Sequence, residues 1–237
     1  MSQAPARSWS PLRAASAAAL AAWAALFWFL LLSGRTSLYL ASRTAWVVPV
    51  GAIVLTVALL GRLATLKAPR TERLPGRTVW ALGFIVLPVA IVLALPPTSL
   101  GSFAASRRSL SAGFATASAI DPGDRVTLAA VAAGVWSEEA RRALVDRAGS
   151  RVTFDGIVTR REGSPADEFF LTRFIVSCCV ADALSVQVRV VGAPPGKFAE
   201  DQWVRVSGAF YPVGREVVVD ADQVRAIPQP KDPYLNV

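Results

Sequence analysis

Histidine is absent from this chain of 237 residues, and cysteine occurs only twice. Without histidine there is no Ser-His-Asp or Cys-His catalytic arrangement, and the commonest general base and metal ligand is missing. The two cysteines, Cys178 and Cys179, are adjacent and therefore cannot cross-link distant parts of the chain. No pair of carboxylates stands out for glycoside chemistry. We therefore predict a protein that is not an enzyme and that needs no organic cofactor.

Charged residues are missing from three long apolar stretches: Ala14–Leu32, Ala45–Leu60 and Val79–Leu95. A bilayer core about 30 Å thick is crossed by roughly 20 helical residues. The first stretch reaches that length, and the other two lie near its lower limit. The sequence predicts three transmembrane helices at about 14–32, 45–60 and 79–95, with the lipid bilayer as a partner.

Basic residues are distributed unevenly around these three stretches. Seven precede the first stretch or separate the second from the third: Arg7, Arg13, Arg62, Lys67, Arg70, Arg73 and Arg77. The gap between the first and the second stretch holds only Arg35 and Arg43. Cytoplasmic loops carry the excess of Lys and Arg, so the N-terminus is predicted to be cytoplasmic. The chain after Leu95 is then predicted to lie outside the cell membrane, although Arg107 and Arg108 run mildly against this orientation.

The excess of positive charge belongs to the apolar half of the chain. The whole chain has 25 basic and 17 acidic residues, whereas residues 151–237 have 10 basic and 11 acidic residues. Nucleic-acid sites need a basic groove with stacking aromatic side chains. We therefore predict no nucleic-acid partner.

The second half divides by composition. Residues 96–122 begin with two prolines and are rich in Ser, Ala and Gly, which predicts a linker. Residues 123–150 form a predicted short helical segment, for which Gly134 marks the favoured break. Within it, Ser137 followed by two glutamates resembles a helix start. Residues 229–237 are predicted to be a tail.

Between these segments, residues 151–228 alternate apolar and polar side chains with a period of two. The clearest example is Leu184, Val186, Val188 and Val190, and turn sequences separate five such runs. Five short strands in about 80 residues predict a small antiparallel β-barrel resembling an OB-fold, with a small sandwich as the alternative. The predicted fold class is thus a three-helix membrane anchor followed by an all-β, OB-like domain.

The segment Leu171–Ala183 holds both cysteines. Cys178, Cys179 and Asp182 have the thiolate and carboxylate ligands of a site for a soft or borderline metal ion. The alternation of the second predicted strand, which includes Thr172, extends through Cys178 and Cys179. In a regular strand the two cysteines point to opposite faces, so they face one ion only if the strand ends or bulges. The run at 181–183 is able to form that turn. Three interpretations remain open: packed cysteines with Asp182 bonding turn amides, metal or metalloid binding, and thiol redox chemistry.

This segment resembles the YcgQ-like family of bacterial membrane proteins. The resemblance rests on a core of Arg173, Phe174, Cys178, Cys179, Ala181, Asp182 and Ala183, with weaker support from 97–102, 154–158 and 203–208. It implies a non-enzymatic accessory subunit of a large polytopic permease, whose extracytoplasmic barrel gates the partner or captures its substrate. The alternative function is a membrane-tethered thiol redox or metal-binding protein. Many such relatives carry a histidine-rich loop where this chain has Arg62–Arg77, so no metal-buffering role of that loop is carried over.

Overall fold

The computed structural model describes residues 8–68, 75–95, 98–107, 126–214 and 216–236. It divides into two compact units. The membrane unit comprises 1–36 and 44–97, and the barrel unit comprises 37–43 and 98–237. Most of the predicted linker lies outside the described ranges, as do Arg7, Arg70, Arg73 and Arg108 among the residues that bear on orientation.

The membrane unit contains three helices: α1 at Pro11–Leu32, α2 at Val47–Ala64 and α3 at Gly76–Ala94. All three are long and apolar enough to cross a membrane, which confirms the prediction of a three-helix anchor. Ser10 caps α1, because its hydroxyl accepts a hydrogen bond from the backbone N–H of Arg13.

The three helices pack through small residues and a few interhelical hydrogen bonds. Gly51 allows α2 to approach α1, where any larger residue would meet the ring of Phe27. The indole of Trp23 donates to the carbonyl of Ile85 at 3.0 Å, which links α1 to α3. Small residues and interhelical hydrogen bonds are the usual means of helix association in lipid. Large apolar side chains such as Trp80 on α3 remain exposed, as expected of a helix that faces hydrocarbon or another membrane protein.

The described part of the barrel unit contains three α-helices and six strands. The helices are α4 at Ser102–Arg107, α5 at Leu128–Trp136 and α6 at Glu138–Val145. The strands are β1 at Arg151–Thr159, β2 at Phe169–Val176, β3 at Leu184–Val191, β4 at Trp203–Val213, β5 at Glu216–Ala226 and β6 at Tyr234–Asn236.

Strands β1 to β5 form a closed barrel in the order β1, β4, β5, β3, β2, with β2 pairing back onto β1. The β3–β5 pair is parallel, and the other four pairs of the barrel are antiparallel. Five strands in this Greek-key arrangement are typical of an OB-fold, so the predicted OB-like barrel is confirmed. The alternating residues of the strands fill its interior, among them Phe154, Leu171, Val188, Val206 and Phe210.

Helices α5 and α6 add to the same core through Leu128, Val131 and Leu144. The predicted helix start is confirmed, because the Ser137 hydroxyl accepts from the N–H of Ala140 and caps α6. The sequence favoured a break at Gly134, but the two helices separate at Ser137. Gly134 remains helical, because its missing side chain leaves room for Leu144 of the neighbouring helix.

Two further segments pack on the outside of the barrel. The described part of the predicted linker, 98–107, contains α4, and its Ala105 is buried. The predicted tail contains β6, which pairs in parallel with β2. Together with residues 38–41 they cover a second apolar cluster: Ala41, Ala105, Ile157, Phe174, Val176, Ala183, Trp203 and Tyr234. The sequence predicted neither packing.

Candidate functional site

Strand β2 ends at Val176, before both cysteines. The alternation counted through Cys178 and Cys179 was therefore wrong as a description of the backbone. A 3-10 turn follows at Val180–Asp182, which is the turn that the sequence allowed at 181–183. Residues 177–182 are called the cysteine turn below.

Asp182 holds the cysteine turn together. Its Oδ1 accepts a hydrogen bond from the N–H of Ser177 at 3.0 Å, and its Oδ2 accepts from the N–H groups of Cys178 at 2.7 Å and Cys179 at 3.4 Å. One carboxylate thus satisfies three consecutive backbone donors that the end of β2 leaves without strand partners. This is the bonding that the packing interpretation predicted for Asp182.

The two thiols lie close together but form no disulfide bond. The Sγ atoms of Cys178 and Cys179 are 3.8 Å apart, whereas a disulfide bond is about 2.05 Å long. Cys178 is exposed and Cys179 is partly covered. A hydrogen bond to the Asp182 carboxylate, followed by one to Cys179, raises the pKa of Cys178 to about 11. Cys178 is therefore a protonated thiol at neutral pH, and thiols react as nucleophiles and metal ligands only when deprotonated.

Asp182 itself is charged. Partial burial would raise its pKa, but hydrogen bonds from the Cys178 thiol and from the three backbone donors outweigh this effect and hold the pKa below its ordinary range. A carboxylate that accepts a hydrogen bond from a thiol is suited to attract a cation that displaces the thiol proton.

Among the residues that the structure describes, no group of three His, Cys, Asp or Glu side chains is arranged to hold a metal ion. The carboxylate oxygens of Asp182 face backbone N–H groups, and Cys178 carries its proton. Metal binding by Cys178, Cys179 and Asp182 remains a prediction, and it would require the release of a thiol proton.

Residues 37–43, which lie between α1 and α2 in the chain, form hydrogen bonds with the backbone of the cysteine turn. Leu40 forms an antiparallel bridge with Cys179. The N–H of Val180 donates to the carbonyl of Tyr39 at 2.9 Å, and the N–H of Ala41 donates to the carbonyl of Cys178 at 3.2 Å. The Arg43 guanidinium donates to the carbonyl of Ser177 at 2.7 Å. Sequence reasoning missed this contact, because pairing between segments so distant in the chain leaves no local pattern.

Of the other residues in the motif, Phe174 and Ala183 belong to the second apolar cluster, and Arg173 holds a segment beside it. Arg173 donates to the carbonyls of Asp232 at 2.8 Å and Pro233 at 3.2 Å, so it holds the segment that leads into β6. Phe174 and Ala183 are buried in that cluster, whereas Ala181 is exposed. The motif therefore combines an accessible cysteine turn with the residues that attach it to the barrel.

Residues 136–236 match the family described as the DUF1980 C-terminal domain. The matched range runs from the end of α5 through all six strands and includes the whole cysteine turn. This part of the chain is therefore similar to the DUF1980 C-terminal domain, a description that names no activity. No curated protein matches the chain.

Proposed function

We propose that this chain is a non-enzymatic accessory subunit of a polytopic membrane permease, and that its barrel unit lies outside the cytoplasm and captures the permease's substrate at the cysteine turn. The observation that carries the proposal is the set of hydrogen bonds between the cysteine turn and residues 37–43. Because these residues connect two membrane helices, the turn lies on the same side of the membrane as their connection.

The orientation follows from charge. The connection between α1 and α2 is poor in basic residues, and the segments on the opposite side are rich in them. The positive-inside rule therefore supports an extracytoplasmic connection, and with it an extracytoplasmic cysteine turn.

The need for a partner follows from the composition of the helices. The apolar stretches of the three spans contain no Asp, Glu, Lys or Arg. Ionisable residues in the apolar part of membrane helices mark substrate pathways and proton relays, and three helices whose apolar stretches lack them make an anchor. Transport would then require a second membrane protein, as the resemblance to the YcgQ-like permease subunits implies.

The cysteine turn favours substrate capture over thiol redox chemistry. A redox thiol attacks as a thiolate, and the hydrogen bond to Asp182 keeps Cys178 protonated at neutral pH. A thiophilic cation would favour the thiolate form of Cys178 instead, because it replaces the thiol proton and is attracted by the Asp182 carboxylate. The proposed substrate class is therefore a soft or borderline metal ion.

The partner is tested by purification from gently solubilised membranes. The full chain is expected to carry one polytopic permease in fixed stoichiometry, whereas a variant without residues 98–237 is expected to lose it. Recovery of the full chain without any polytopic protein, even after cross-linking in the membrane, would contradict the permease proposal.

Substrate capture is tested separately by titration of the purified chain with zinc and with copper(I). Binding is expected to weaken as the pH falls, because protons compete for the thiols. The Cys178→Ser/Cys179→Ser variant is expected to lose binding, and Asp182→Asn to weaken it less. Binding that survives the double serine change would exclude the cysteine turn as the site.

A further inference from the structure

A cavity of about 370 Å³ opens in the barrel unit beside β1. Its apolar wall consists of Val126, Leu128, Phe154 and Leu235, and its polar wall consists of Thr127, Thr153, Asp155, Arg173 and Arg205. The volume falls within the range of small-molecule pockets, and the wall combines apolar side chains with polar and charged groups in similar shares. None of the lining residues belongs to the cysteine turn, so the cavity is a separate feature.

Two of the three charged side chains in the cavity neutralise each other. Arg205 donates to Asp155 through Nε and Nη2, each at 2.6 Å from a different carboxylate oxygen. This fork-to-fork geometry is the strong, charge-assisted form of an Arg–carboxylate pair. The pair leaves little net charge for a ligand to satisfy.

Arg173 differs, because its two hydrogen bonds go to uncharged backbone carbonyls, those of Asp232 and Pro233. Within the described part of the chain, no carboxylate forms a salt bridge with it. Burial lowers the pKa of Arg173, and the more distant charges of Asp155 and Asp232 only partly oppose this effect. Arginine nevertheless stays protonated. Among the described residues this cation contacts two neutral carbonyls and lies 5.8 Å from the centre of the Trp203 ring, and it forms no salt bridge with a carboxylate.

We propose that this cavity binds a small organic monoanion, with the carboxylate of the ligand at Arg173 and its apolar body against Val126, Leu128, Phe154 and Leu235. A single uncompensated charge matches a carboxylate, which carries one negative charge at neutral pH, better than a phosphate dianion. The planar guanidinium group also suits the two oxygens of a carboxylate. The inference is independent of the permease proposal, because it involves neither the cysteine turn nor a partner.

The test is calorimetric titration of the full chain in detergent with benzoate, benzamide and inorganic phosphate. Benzoate is expected to bind once per chain, and its neutral isostere benzamide to bind at least about tenfold more weakly, as expected for loss of a charged hydrogen bond. Equal affinity for benzoate and benzamide, tighter binding of phosphate, or no benzoate binding would each overturn the proposal.

Substitutions inside and outside the cavity test whether benzoate binds at Arg173. Arg173→Gln is expected to weaken benzoate binding at least about tenfold. The matched control is Arg151→Gln, which removes an exposed arginine paired with Asp222 outside the cavity and is expected to leave binding unchanged. Benzoate affinity that Arg173→Gln leaves unchanged would contradict the proposal.

Arg173 also holds residues 232–233, so a second variant separates binding from folding. Thr153 lines the cavity from an exposed position on β1, and Thr153→Trp is expected to occupy the cavity without disturbing the core. This variant should melt near the wild-type temperature and lose benzoate binding. Unchanged binding in Thr153→Trp would place benzoate elsewhere and overturn the proposal.

Discussion

The Asp182 carboxylate controls both the shape and the protonation of the cysteine turn. It accepts hydrogen bonds from the N–H groups of residues 177–179 and from the Cys178 thiol. A thiolate at Cys178 would lose that hydrogen bond and would lie beside a negative charge. The turn therefore holds its accessible thiol in the unreactive, protonated form at neutral pH.

Asp182→Asn should make Cys178 more reactive. Removal of the carboxylate should lower the thiol pKa from about 11 towards its ordinary value of 9.0, which raises the thiolate fraction at neutral pH by roughly one to two orders of magnitude. The measurement is the rate of iodoacetamide alkylation against pH in a Cys179→Ser background. Asp146→Asn, an exposed change after α6, is the control. The same pH midpoint with and without Asp182 would show that the carboxylate does not set the pKa.

Gly208 is required by the close approach of β4 and β5. The register of this pair shifts between Ser207 and Gly208, and a Cβ at Gly208 would overlap the carbonyl of Asp220. Gly208→Ala should therefore lower the free energy of unfolding by about 3 kcal/mol or more, at the severe end for single substitutions. Ser207→Ala, which loses only a hydrogen bond to Thr153, should cost about 1 kcal/mol. Urea titration followed by circular dichroism compares the two, and equal losses would contradict the steric argument.

At the scale of elements, β6 connects three segments through one side chain. Tyr234 is buried; its hydroxyl accepts from the N–H of Leu100 at 3.3 Å and donates to the carbonyl of Leu38 at 3.2 Å. The strand, the segment before α4 and the connection between α1 and α2 thus meet at one hydroxyl group.

Tyr234→Phe should destabilise the barrel unit by about 1–2 kcal/mol, because both hydrogen bonds are lost. Burial raises the pKa of Tyr234 above its ordinary value of 10.0. A raised pKa in the folded state means that the stabilisation is complete below pH 10 and is lost as the pH rises through the folded value. The stability of the wild type should therefore fall above about pH 10 more steeply than that of the variant. Thermal melts between pH 8 and pH 11.5 measure this difference, and parallel curves would contradict it.

The sequence predicted the helices and strands whose own residues show a recognisable pattern. Apolar length identified α1, α2 and α3, and alternation identified the five barrel strands, because both signals arise within one element. Strand β6 has only three residues, too few for a period to show. The alternation also ran past the end of β2, because nothing local revealed that Asp182 draws the backbone of 177–179 into a turn.

The candidate site was predicted only in part, for the same reason. The residue types of Cys178, Cys179 and Asp182 indicated a site, but the hydrogen bonds from residues 37–43 join segments far apart in the chain. The cavity at Arg173 was also missed, because Arg205, Asp155 and Leu235 come from three separate strands. Contacts of this kind are set by the barrel topology and leave no spacing to detect.

At the scale of the whole molecule, two independent observations bear on its orientation. Three crossings place the connection between α1 and α2 on the same side of the membrane as the chain after α3. In the structure, residues 37–43 of that connection belong to the barrel unit and bond to the cysteine turn, as this count requires. The direction rests on the basic residues, from which we propose that the barrel unit lies outside the cytoplasm.

The most direct test of the account is labelling of single cysteines in intact cells by a membrane-impermeant maleimide. Glu200→Cys on the barrel unit and Lys67→Cys between α2 and α3 are both exposed positions, each introduced into the Cys178→Ser/Cys179→Ser chain. We expect Glu200→Cys to be labelled in intact cells, and Lys67→Cys only after the membrane is permeabilised. Labelling of Lys67→Cys in intact cells with protection of Glu200→Cys would contradict the orientation, and with it the proposal that the cysteine turn captures a substrate outside the cytoplasm.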